Sequence, residues 1–151
     1  MTTQPHCRYG MLPPDRMHLW WEGMAKHLVT WIIALINHNS AQNNITGTER
    51  MLDEMLMSFD CKHSDKSIPT HHFHSGISNL AKIPAKHMVP LIVQLQVVVG
   101  TTDVFFTDSQ RSTIHDLLAY FVGLGADLHA DTYTETDLQC LDQTIRRLIT
   151  I

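Results

Sequence analysis

The stretch Leu19-Trp20-Trp21-Glu22-Gly23-Met24-Ala25-Lys26-His27-Leu28-Val29-Thr30-Trp31-Ile32-Ile33-Ala34-Leu35-Ile36 decides the fold class. Leu19, Trp20, Met24, Leu28, Trp31, Ile32, Leu35 and Ile36 recur at spacings of three and four, the period of one helical face. Glu22, Lys26 and Thr30 fall between them. Gly23 costs such a helix about 1 kcal/mol against alanine, which so broad an apolar face absorbs. The spacing therefore predicts a long helix from about Arg16, capped by Asp15 after Pro13-Pro14. Trp20 and Trp31 read as core residues. Replacing Trp31 by alanine is then expected to cost about 3–5 kcal/mol. Trp21 is turned away by about 100° and reads as a contact for a partner surface.

Working outward, residues 1–15 carry Pro5, Gly10, Pro13 and Pro14 without an apolar period and read as an irregular segment. Residues 16–151 read as one helical domain. His38 to Gly47, with three Asn, reads as a loop. A second helix is expected from Thr48 or Glu49 to about Phe59, with capping-box spacing at Thr46-Gly47-Thr48-Glu49 and a stripe of Leu52, Met55, Leu56 and Phe59. Residues 60–80 hold Pro69, Gly76 and a run of histidines and read as a long polar surface loop. Leu91 to Val99 fits either a helix with Pro90 at its first position or a buried strand. The helix is preferred, because Gly100 supplies a stop and no neighbour looks like a strand partner. A further capping-box spacing, Thr107-Asp108-Ser109-Gln110, opens a helix carrying Ile114, Leu117, Leu118, Phe121, Val122 and Leu124, with Gly123 and Gly125 blurring its end. A last helix begins near Glu135, capped by Thr134, and carries Leu138, Leu141, Ile145, Leu148 and Ile149. The expected class is all-α, with about five helices.

The 151 residues suffice for one complete domain, in which roughly 68–70% of the unfolded surface is buried. With 44% hydrophobic residues, and only seven Gly and six Pro, the chain is neither disordered nor collagen-like. Eleven Lys plus Arg against fifteen Asp plus Glu, net −4, exclude a broadly basic nucleic-acid footprint while allowing a local one. The N-terminus lacks the basic and apolar regions of a secretory signal. No apolar run approaches the roughly 20 residues of a membrane span. Cys7, Cys61 and Cys140 are odd in number and far apart, which argues against a disulfide scaffold and for an intracellular setting, nuclear or cytoplasmic.

Eleven histidines are many for this length, and they cluster at Cys61-Lys62-His63 and His71-His72-Phe73-His74. Cys61, His63, His72 and His74 would supply the four ligands of a zinc site, with Asp60 or Asp65 nearby. The spacing is not that of a known finger. The competing reading is of loop histidines with one or two folded against the core, and no cofactor. Asp15 and His18 stand at D-x-x-H spacing, with Glu22 four residues beyond His18 on the same helical face. Asp103, Asp108, Asp116, Asp127, Asp131, Glu135, Asp137 and Asp142 face Arg111 alone among bases from 103 to 142, a solvated acidic face that repels a nucleic-acid backbone. No phosphate loop, dinucleotide fingerprint, nucleophile elbow or H-E-x-x-H occurs.

The segment from Leu12-Pro13-Pro14-Asp15-Arg16-Met17-His18 through Trp20-Trp21-Glu22-Gly23 to Lys26-His27-Leu28 resembles transposases of the CACTA group, including Plavaka-like elements. These share a D-x-M-H signature, met here by Asp15, Met17 and His18. Met51-Leu52-Asp53-Glu54, His74-Ser75-Gly76-Ile77-Ser78 and the apolar run to Gly100 follow in the order of the helical continuation of such proteins. Leu80-Ala81-Lys82-Ile83 stands where the family has Trp-x-Gly. The resemblance implies the helical part of a cut-and-paste transposase, with Asp15 and His18 as the matched pair. Glu22, Glu49 and Glu54 are all available as a third acid. The upstream strands bearing the first acids have no counterpart in the fourteen residues before Asp15. What is implied is a non-catalytic remnant serving protein contact, with a partner or a second copy of itself, or DNA contact through a partner. The alternatives from the residues alone are a helical protein-interaction module unrelated to transposases and, beyond that, a zinc-dependent enzyme or zinc-stabilised module.

Overall fold

The computed structural model describes residues 17–59, 69–77, 80–127 and 134–150. They form an all-α domain of five helices: α1 Ala25–Gln42, α2 Thr48–Met57, α3 Met88–Thr101, α4 Asp108–Asp127 and α5 Glu135–Thr150. π-helical turns over Met17–Met24 lead directly into α1. Short 3₁₀ turns at Leu80–Lys82 and Ala85–His87 lead into α3. The irregular segment expected over 1–15 and the Asp15 cap lie outside the described residues.

Helix α3 is the centre of the domain, packing against α1, α2, α4 and the π turns. Met88, Leu91, Ile92, Leu95, Val98 and Val99 are all buried, so the helix is apolar nearly all round, as a surrounded helix must be. This settles residues 91–99 as helix. Pro90 is the third helical residue rather than the first. That place suits it equally, because the first N–H groups of a helix have no partner to lose. Helix α4 lies along α3 through Ile114, Leu118, Phe121 and Leu124, and α5 packs on α4.

Two helix starts form as the sequence predicts. Thr107 and Gln110 exchange side-chain to backbone bonds at 3.3 and 3.2 Å, a reciprocal capping box. Thr134 and Asp137 do the same at 3.2 and 2.7 Å at the head of α5. The start of α2 differs. Gly47, in the left-handed region at φ 75°, is its N-cap, and no side chain caps it. Thr48 is instead buried, its hydroxyl hydrogen-bonded with Ser40 Oγ at 3.0 Å, while Glu49 accepts from the Asn37 amide.

The expected loop from His38 is helix as far as Gln42. The side chains of Asn39 and Ser40 are occupied: Asn39 Nδ2 donates to Phe105 O and Gln110 Oε1, and Ser40 Oγ donates to Ile36 O. These contacts outweigh the low helix propensity of the asparagines.

Trp31 is not a core anchor; it is 51% exposed. Trp21 does not face outward; it is buried together with Trp20. The register of the buried face explains both corrections. The buried positions run Trp20, Trp21, then Ala25, Val29, Ile32, Ile36 and Ser40. From Trp21 onward the steps are three or four, plain α spacing, so Trp21 leads the buried face. Trp20 joins it from five residues before Ala25, a step the π turns supply by bonding i to i+5. A stripe continued from Trp20 at α spacing passes through Met24, Leu28 and Trp31 and follows a neighbouring face.

Candidate functional site

Within the 60–80 region, the described residues 69–77 are less of a free loop than their composition implies. Phe73 and Ile77 are core residues at 5% and 2% exposure, and Ile83 joins them. The His71 backbone N–H donates to Oε1 of the fully buried Gln94 at 3.2 Å, and the Ile77 N–H donates to Asp53 Oδ1 at 2.7 Å. Between these two anchors the Gly76 N–H donates to Phe73 O at 3.1 Å, closing a turn in which Gly76 takes φ 65°.

With Phe73 turned inward, its neighbours His72 and His74 are both exposed, and their rings stack with centroids 4.1 Å apart and planes at 18°. The half-buried His71 stacks on His87, from the turn before α3, at 3.7 Å and 19°. It also meets Phe73 edge-on at 4.9 Å. These four imidazoles, with Lys82, Phe73, Ile83 and Pro84, line a pocket of about 290 Å³. Composition pointed to the histidines of residues 60–80. It did not point to His87, which only the packing of this segment on the head of α3 brings in.

Burial lowers the His71 pKa first, and the nearby His87, His74, His72 and Lys86 lower it further. The folded chain therefore takes up a proton at His71 less readily than the unfolded chain does. The stability tied to this group is fully present above its ordinary value near 6.5 and declines as pH falls through that value. The unfolding temperature of the wild type is accordingly expected to drop more steeply between about pH 7.5 and 5.5 than that of His71→Gln. Equal slopes in a melting series would remove His71 from this role.

Of the four zinc candidates, Cys61 and His63 lie outside the described residues, as do Asp60 and Asp65. The structure brings His72 and His74 together, but as a stack. Ring-nitrogen lone pairs lie in the ring plane, and zinc binds them at about 2.0–2.1 Å, so two nearly parallel planes held face to face do not direct their nitrogens at one ion. One ring would have to turn. Among the described residues, no group of three His, Cys, Asp or Glu is placed to hold a metal ion.

For the family-matched pair, Asp15 lies outside the described residues, and His18 falls in the π turns. The three carboxylates considered as a third acid are dispersed and engaged: Glu22 pairs with Lys26 at 3.7 Å, Glu49 accepts from Asn37, and Glu54 pairs with Arg50 at 2.8 Å. Asp103, Asp108, Asp116, Glu135, Asp137 and Asp142 are exposed, consistent with a solvated acidic face. Asp137 is held below the usual carboxylate range by hydrogen bonds from the Thr134 backbone and hydroxyl.

The second feature is the face of α1 that carries Trp31. Met24 is 46% exposed, and the half-buried Leu28 and Leu35 complete a strip at spacings of four, three and four. This face adjoins the buried one, and Leu28 and Leu35 pack against the core at its edge. No described helix is long and apolar enough to cross a membrane. Comparison with known proteins gives no match among family models, curated proteins or solved structures.

Proposed function

We propose that the chain is a non-catalytic helical interaction domain that contacts a protein partner, a second copy included, through the Met24, Leu28, Trp31 and Leu35 strip of α1. The observation that carries this reading is Trp31, half exposed in the middle of an 18-residue helix whose opposite neighbours fill the core. An indole in water gives up the burial energy that a polar residue would not forgo at that position. Tryptophan is also the side chain most enriched among residues that dominate binding energy at protein interfaces. Descent from a CACTA-group transposase is a proposal of origin compatible with this role, and its support is the sequence of residues 12–28. An interaction domain without a catalytic centre is what a retained helical part of such an enzyme would be.

Sedimentation velocity over a wide concentration range tests the contact face. Self-association abolished by Trp31→Lys, with an unchanged melting temperature, supports it. So does a photo-crosslinker at position 31 that joins one defined protein in an extract from the native host and loses it when Leu28 and Leu35 are made polar. A chain that stays monomeric and cross-links to nothing defined overturns it.

A further inference from the structure

The imidazole-lined pocket shares no residue with the α1 strip and has a chemistry of its own. Its polar wall is His71, His72, His74, Ser75, His87 and Lys82, and among the described residues no carboxylate lines it. Lys86 lies close enough to act on the His71 charge, and Lys26 Nζ reaches Ala81 O at 3.2 Å, beside Lys82. Asp53, which touches Gly76 behind the turn, has Oδ1 occupied by the Ile77 N–H. The pocket stands at the head of α3, a 14-residue helix whose N-terminal end carries a partial positive charge. Its apolar wall is Phe73, Ile83 and Pro84. A lining that joins ring donors and a lysine to aromatic and aliphatic side chains describes a receptor for an anion attached to a small apolar body.

We propose that this pocket binds a small phosphomonoester, its phosphoryl group among the imidazoles and Lys82 and its organic part over Phe73, Ile83 and Pro84. The stacked imidazoles favour this ligand over a metal, since nearly parallel rings do not converge their nitrogens on one point. A phosphoryl group has three acceptor oxygens and a second pKa near 6. It can therefore meet several donors at once and hold a charge opposite to that of Lys82 around neutrality. Binding draws protons onto the imidazoles, because a dianion beside them favours their charged form. Each proton taken up makes the affinity rise by about tenfold per pH unit as pH falls toward the phosphate's own pKa.

The test uses the full chain and two probes, inorganic phosphate and phenyl phosphate, followed by the imidazole proton resonances at pH 7.5 and pH 6. Saturable shifts at His71 and His87 are expected, with severalfold tighter binding at pH 6 and tighter binding of phenyl phosphate than of inorganic phosphate. Lys82→Ala combined with His72→Gln, both exposed positions, should weaken binding severalfold and leave the melting temperature in place. Trp31→Lys should leave binding unchanged, so failure here and failure of the α1 contact face are separable. Shifts reproduced by chloride at equal ionic strength would mean charge screening only and overturn the proposal. So would phenyl phosphate binding no better than phosphate, or stoichiometric zinc held by the same histidines and excluding both probes.

Discussion

Replacing Trp20 by alanine is expected to lower the unfolding free energy by about 3–5 kcal/mol, whereas the same change at Trp31 should alter it by no more than about 0.5 kcal/mol. Trp20 is 7% exposed and stacked on Phe121 of α4, with centroids 4.4 Å apart and planes at 14°. Trp21 meets the same Phe121 edge-on at 6.0 Å. The three rings join the π turns to α4, and removing one ring of such a cluster leaves a cavity that rigid neighbours cannot refill. Trp31 takes no part in it. Chemical denaturation of both variants separates the two cases with one method. A large loss at Trp31 as well as at Trp20 would restore the face drawn at uninterrupted α spacing and displace the one that leaves Trp31 exposed. Trp31→Ala should be silent in folding and speak only in association, which is what distinguishes a contact residue from a structural one.

Helix identity was legible because it rests on local signals: period, caps and breakers. The reciprocal bonds of Thr107 with Gln110 and of Thr134 with Asp137 stand where the spacing places them. Facing was less legible. The apolar residues of α1 occupy two adjacent faces, one through Trp21, Ala25, Val29 and Ile32 and one through Met24, Leu28 and Trp31, and both keep α spacing, so the period alone does not say which is buried. The core residues Phe73, Ile77, Phe105 and Phe106 were missed because they lie in irregular segments, where there is no period to read. A usable signal existed in each case, an aromatic flanked by polar residues in one and Val104-Phe105-Phe106 in the other. The candidate pocket was half legible for the same reason. His71, His72 and His74 form a visible run, but His87 and Lys82 reach it only through tertiary packing.

The two glycines that blurred the end of α4 should respond to alanine in opposite directions. A Cβ on Gly123 meets nothing within 4 Å, and the position is exposed in the helix interior. Gly123→Ala is therefore expected to stabilise the fold by about 0.5–1 kcal/mol, from the conformational freedom that glycine loses on entering a helix. A Cβ on Gly125 would fall against Trp20 Nε1 and within 2.6 and 2.7 Å of Cζ2 and Cη2 of Trp21. Both indoles are buried and braced by Phe121, so neither yields as the tip of a flexible chain would. Overpacking of this kind costs about 1–3 kcal/mol or more, and the rigidity of two ring systems places Gly125→Ala at or beyond the upper end. Helix propensity alone would make both substitutions favourable, so the sign of the second isolates the contact between α4 and the π turns. Thermal melts of the two single variants decide it: a stabilised Gly125→Ala would mean that the tryptophans do not lie against α4.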